Sequence, residues 1–161
     1  MTTSGFRARI LAFAMVLAPL AAAAQEGAKG VDAAWMKAIK ANDLEAIVAC
    51  YAPDAVLWLP GAPEARGTKA IRDVYAGLLS AFTVADVSLM NATYETSGDL
   101  SAAWGNFTLT LQPKAGGPPA VSKGRFAVAA KKIGGKWMYV ADLASDDPPP
   151  PAAPTPPVPK A

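Results

Sequence analysis

The chain has 161 residues, 52% hydrophobic and 17% charged, enough for one globular domain with a sizeable core. Its formal charge is +2, and it contains one cysteine and no histidine. An internal disulfide, a Ser-His-Asp or Cys-His catalytic triad and a histidine-ligated zinc site are thereby excluded.

Both ends are biased in composition. Arg7 and Arg9 precede the apolar run Ile10–Leu20, which leads into Ala21-Ala22-Ala23-Ala24-Gln25. A basic start, an apolar middle and an A-x-A site predict a secretory signal peptide over residues 1–24, cleaved after Ala24. The run is shorter than the ~20 apolar residues of a spanning helix, so no stable membrane anchor is expected after cleavage. Loss of Arg7 and Arg9 with this leader brings the 15 basic residues level with the 13 acidic ones. No basic run interleaved with aromatics remains, and nucleic acid is not an expected partner. The mature protein is expected to be secreted, into the periplasm in a Gram-negative cell.

Residues 25–30 read as a polar linker, and residues 31–146 as the folded domain. Val31, Ala34, Trp35, Ala38 and Ile39 recur at helical spacing. Asn42 suits the end of that helix and Asp43 the N-cap of a second, lined by Leu44, Ile47, Val48 and Tyr51 and stopped by Pro53. Cys50 falls on the apolar face of this helix and reads as a buried, inert thiol.

Ala55–Leu59 reads as a short apolar strand, and Pro60, Gly61, Pro63 and Gly67 make the next segment a loop. Thr68 is the expected N-cap of a third helix with Ile71, Val74, Tyr75, Leu78, Leu79 and Phe82 on its buried stripe.

From Val84 the period becomes two. Val84–Glu95, Leu100–Leu111, Val121–Lys132 and Lys136–Leu143 read as four antiparallel strands, with a Gly-Gly hairpin signal at Gly134-Gly135. The order predicts an α+β fold, a curved mixed sheet wrapped as a cone around three N-terminal helices. Residues 147–161, with their Pro-Pro-Pro-Pro-Ala-Ala-Pro-Thr-Pro-Pro run, cannot supply a core and read as a Pro-rich disordered tail.

Strand alternation sorts the inner face from the outer. Phe107, Leu109 and Leu111 are expected inside, as are Phe126, Val128 and Ala130 on the next strand, and Met138, Val140 and Asp142 on the last. Trp104, Thr108, Trp137 and Tyr139 are expected outside. A carboxylate on an apolar inner face has a raised pKa unless paired, the usual preparation for acid–base work, so Asp142 is the candidate catalytic residue. The alternative role is structural: Asp142 accepts a hydrogen bond from Trp35, Tyr51 or a backbone N–H and holds the helices down. Trp35, Tyr51, Trp58, Leu59, Phe107, Leu109, Val128, Val140 and Asp142 form the expected pocket, whose lining suits a small apolar molecule.

Several segments together carry a resemblance: Trp35, Asn42-Asp43-Leu44, Tyr51-Ala52-Pro53-Asp54-Ala55-Val56, Gly67-Thr68-Lys69-Ala70-Ile71, Tyr75, and Gly135-Lys136-Trp137 with Asp142. Over Val31–Asp147 the chain resembles the SnoaL-like and ketosteroid-isomerase-like branch of the nuclear-transport-factor-2-like superfamily, most narrowly its exported members of unknown function. The resemblance implies a cystatin-like α+β cone, commonly dimeric through the outer sheet face.

In ketosteroid isomerases it also implies a carboxylate base before a proline at the end of the first strand, where this chain has Leu59 before Pro60. The family's oxyanion-hole tyrosine corresponds to Trp35, and its protonated acid falls near Val128. Those substitutions imply a ligand-binding domain without classical ketosteroid isomerase activity, and no cofactor is expected. The alternatives are an isomerase, cyclase or hydratase using Asp142, and a homodimeric interaction module.

Overall fold

A computed structural model describes residues 27–148, so the expected leader over 1–24 and nearly all of the Pro-rich tail lie outside the described residues. The elements run α1 (Gly27–Lys40), α2 (Leu44–Val48), β1 (Tyr51–Trp58), β2 (Ala65–Arg66), α3 (Gly67–Ala81), β3 (Phe82–Ser97), β4 (Leu100–Pro113), β5 (Ala120–Ile133) and β6 (Lys136–Asp146). The six strands form one sheet in the order β2-β1-β6-β5-β4-β3. β1 pairs parallel with β6, and every other neighbour is antiparallel. The expected α+β cone is thus the fold observed.

α1 starts at Gly27, four residues before the expected Val31, and Ala28 is already buried, its amide donating to Ser101 Oγ at 2.9 Å. The helix ends in a left-handed residue, Asn42, at φ 55°. Asp43 N donates to Ala38 O and Asn42 N to Ile39 O, both at 3.0 Å, a Schellman closure. The Asn42 side chain then spans to β3, accepting from Val84 N at 2.7 Å. Asp43 caps α2 as expected, its Oδ1 accepting from Ala46 N at 3.0 Å.

Three local expectations change. Tyr51 is not on α2, which stops at Val48; it opens β1 opposite Tyr139, and Tyr139 N donates to Cys50 O at 2.8 Å. Leu44, Ile47, Val48 and Tyr51 suit a helix by spacing, but Pro53 lacks an N–H and favours extended chain before it. The irregular pairing of β1 between Tyr51 and Val56 accommodates that proline inside the strand. The loop after β1 contains the short strand β2, and α3 begins at Gly67 with Arg66 at its N-cap position, so Thr68 lies inside the helix.

The third change governs the interior. Ala130 pairs with Tyr139 and Ala129 with Ala141, so Val140 is an extra residue, a β-bulge. The bulge reverses the alternation on its N-terminal side. Tyr139 is turned inward and is 2% exposed, and Trp137, of the same parity, is half-buried against the core. Neither lies on the outer face as expected; Trp104 does, at 46% exposure.

Close backbone approach fixes two glycines where the sheet bends. A Cβ at Gly105 would stand 2.8 Å from Met90 O and 3.0 Å from the Phe126 ring, and one at Gly124 would overlap Ser145 O.

Candidate functional site

Between the inner sheet face and helices α1 and α3 lies a cavity of about 300 Å³. Its apolar wall comes from Trp35 and Ile39 on α1, Leu59 and Pro60 after β1, Leu78 on α3, and Val87, Leu89, Phe107, Leu109, Leu111, Phe126 and Val128 on β3–β5. Two carboxyl groups break that wall, Asp142 from β6 and Asp32 from α1, with Asp146 as a third farther along β6.

Of the expected pocket residues, Trp35, Leu59, Phe107, Leu109, Val128 and Asp142 line the cavity. Val128 and Asp142 are direct partners across β5 and β6. Tyr51, Trp58 and Val140 do not line it. Trp58 is on the outer face, its indole N–H donating to Glu64 Oε2 at 3.0 Å. Val140 is the bulge residue, and Tyr51 stands behind Asp142 as part of its support.

That support is a directed chain of hydrogen bonds. Trp35 Nε1 donates to Tyr75 Oη at 3.1 Å, Tyr75 and Tyr51 share a proton across 2.7 Å, and Tyr51 Oη donates to Asp142 Oδ2 at 2.5 Å. The indole has only a proton to give and the carboxylate only lone pairs, so each hydroxyl donates toward Asp142. Burial pushes the Asp142 carboxyl up to about 6; the Tyr51 hydrogen bond opposes the shift, and the nearby Asp32 adds to it. Burial likewise raises Tyr51 and Tyr75 well above an ordinary phenol, so both stay protonated.

The second group is built around Asp32, which is 1% exposed. Tyr139 Oη donates to Asp32 Oδ1, while Oδ2 has no protein partner. Burial raises the Asp32 carboxyl, opposed by the Tyr139 hydrogen bond and, more weakly, by the Tyr94 hydroxyl. The two groups touch through their rings, with the Tyr51 and Tyr139 centroids 5.3 Å apart.

Sequence reasoning passed over Asp32 and placed Tyr139 on the wrong face. The signal for Asp32 is present: Asp32, Trp35 and Ile39 fall at i, i+3 and i+7, so an acid sits on the apolar stripe of α1. No comparable signal marks the bulge at Val140. Cys50 is buried, with its thiol pushed up to about 11 by burial, the inert state expected of it. Among the described residues no group of three His, Cys, Asp or Glu is placed to hold a metal ion, and no helix is long and apolar enough to cross a membrane.

A bent sheet closed by helices over an apolar cavity defines the nuclear-transport-factor-2-like class. Within it, the SnoaL-like domain model matches residues 33–140, and the chain belongs to that family.

Solved structures share the fold at low identity. A ketosteroid isomerase-like protein from Erwinia carotovora atroseptica SCRI1043 superposes with a TM-score of 0.66 at 23% identity, covering 78% of this chain and 98% of that one. A nuclear transport factor 2-like superfamily protein from Salmonella enterica serovar Typhimurium LT2 gives 0.70 at 16% identity, covering 83% and 96%. A cystatin-like-fold protein of unknown function from Nostoc punctiforme PCC 73102 gives 0.63 at 20%, covering 83% and 98%. No functionally curated protein matches the sequence.

Proposed function

We propose that the domain binds a small, largely apolar molecule in the cone, with Asp142 as a polar anchor in its wall. The observation that carries this is the cavity: about 300 Å³, at the lower end of small-molecule sites, apolar in lining, with few polar groups. A thermal-shift and calorimetric screen of hydrophobic fragments tests it. Saturable binding that weakens when Leu109→Trp fills the cavity is the expected result; no saturable binding across the screen contradicts it.

A second reading is favoured by one feature, the Asp142 carboxyl lifted to about 6 by burial on the cavity wall. Such a group exchanges a proton near neutral pH, as an acid–base enzyme of isomerase, cyclase or hydratase type requires. The ketosteroid isomerase-like structure supports the fold of that reading alone. Turnover that survives Asp142→Asn unchanged removes it.

We further propose that the protein is exported through its N-terminal leader and pairs as a homodimer through the outer sheet face. Supporting the dimer, Trp104, Ala127, Leu143 and Trp58 lie in register across β4, β5, β6 and β1. Trp104, Leu143 and Trp58 are 46%, 44% and 37% exposed, an apolar row left uncovered by the described residues.

A further inference from the structure

The side chains of the cavity wall offer hydrogen-bond acceptors and no spare donor. The Trp35 indole N–H is given to Tyr75, and the Tyr75 hydroxyl passes its proton to Tyr51 and so toward Asp142. The Tyr139 hydroxyl is given to Asp32 Oδ1, and Ser122 Oγ donates to Asp146 Oδ1 at 2.8 Å. No lysine or arginine is among the described residues that line the cavity. A ligand carbonyl would therefore meet only lone pairs, and a ligand carboxylate would meet like charge as well.

The three carboxyls of the wall differ in what they can reach. Asp32 is sealed: it is 1% exposed, with the Tyr139 and Tyr94 hydroxyls against it. Asp146 is exposed, at the end of the cavity that meets solvent. Asp142 is half-buried, and Tyr51 takes its Oδ2. Among the described residues none donates to Asp142 Oδ1, and the polar side-chain atoms both sealed and unpaired are Asp32 Oδ2 and the Trp137 indole nitrogen. Asp142 Oδ1 is therefore an open acceptor on the cavity wall. Burial lifts this carboxyl to about 6, which leaves it mostly ionised at neutral pH. The wall around it is aromatic. Phe126 is its diagonal neighbour on β5, next to its direct partner Val128, and Trp35 and Phe107 line the same cavity.

We propose that the cone selects an organic cation, a protonated amine on a compact apolar ring, with its N–H donating to Asp142 Oδ1 and its charge beside the rings of Trp35, Phe107 and Phe126. An ammonium group suits this wall better than a neutral donor, because the carboxylate and the ring quadrupoles both act on its charge. Asp146 gives the entrance the same sign, which draws cations in and turns anions away. Since Asp142 is half-buried rather than sealed, the bound cation keeps part of its hydration, and the pair avoids the full penalty of a buried salt bridge. The assignment rests on the cavity being a ligand site and adds to it the charge and class of the ligand.

The test titrates four probes that share one ring, indane, 2-indanol, 2-aminoindane and indane-2-carboxylate, into the folded domain at neutral pH. The amine should bind about tenfold tighter than indane, the lower range for a hydrogen bond to a charged group, with the alcohol between them and the carboxylate weakest. The carbon-13 signal of the Asp142 carboxyl should move strongly with the amine and little with indane. Asp142→Asn should lose the preference for the amine and still bind indane. Indane binding as tightly as the amine overturns the cation site and leaves the cavity a ligand site. The alcohol matching the amine overturns the choice of a cation, and an amine preference that survives Asp142→Asn overturns the role of Asp142. Failure of all four probes to bind overturns the cavity as a ligand site and this assignment with it. If Asp142→Asn folds poorly, the ranking of the probes and the carboxyl signal of the unaltered protein decide the same question.

Discussion

The Tyr51 hydroxyl donates to Asp142 Oδ2 at 2.5 Å, joining the first residue of β1 to a residue 91 positions later on β6. Tyr51 and Asp142 are therefore one unit, in which the phenol holds the carboxylate and the rest of the chain, Tyr75 and Trp35, holds the phenol.

Replacing Tyr51 by Phe removes the one hydrogen bond that lowers the Asp142 pKa, so that pKa should rise further above about 6. It also leaves Tyr75 without its acceptor, at a cost of about 1–3 kcal/mol for a buried hydroxyl left unpaired. Carbon-13 NMR titration of the aspartate carboxyls and chemical denaturation check the two effects separately.

The raised Asp142 pKa makes stability depend on pH in a defined sense. The folded state holds this proton more tightly than the unfolded chain, so the contribution is fully present below about 3.8 and is lost as pH rises to about 6. The stability of the native protein relative to Asp142→Asn should fall by roughly 2–3 kcal/mol across that window and stay level above it. Denaturation of both proteins at several pH values measures the difference, and cancels the opposite contributions of Glu45 and Asp86, whose carboxyls are lowered by Arg72 and Lys40.

Deleting Val140 removes the extra residue of the bulge and leaves Tyr139 and Asp142 two positions apart, the spacing at which a regular strand keeps both on the inner face. The Tyr139–Asp32 and Tyr51–Asp142 hydrogen bonds should therefore survive the deletion. Chemical denaturation should find a loss well below the about 3 kcal/mol of truncating a core aromatic. A loss that large would show that the bulge itself, and not the alternation on either side of it, sets the interior.

On the outer face, Trp104→Asp places a charge at the β4 end of the exposed apolar row, on its most exposed aromatic. If that row is a homodimer contact, the native protein should run as a dimer at micromolar concentration and the variant as a monomer, by light scattering. A native monomer removes the dimer.

Much of the cone is legible in the sequence because its signals are local. The α1 stripe, the Gly134-Gly135 hairpin and the alternation of Phe107, Leu109, Leu111, Phe126 and Val128 each come from a single element's period. The features that escape depend on pairing between elements. Tyr51 obeys helical spacing with Leu44 and Ile47, and only its pairing with Tyr139 makes it a strand residue. Val140 is one more β-branched residue in an alternating run, and its bulge shows only in the pairing of β6 with β5. Asp32 looks like one more polar helix residue until the sheet curves over it. The error at Val140 moves Tyr139 to the wrong face, and with it the partner that orients Asp32.

The central claim is that the cone takes up a small apolar molecule beside Asp142, and methyl-resolved NMR tests it most directly. On titration with indane, the methyl signals of Leu59, Leu109, Leu111 and Val128, all on the cavity wall, should shift together and saturate with one binding constant. Shifts confined to outer-face residues such as Leu100, Val121 and Leu143, or none that saturate, would contradict it.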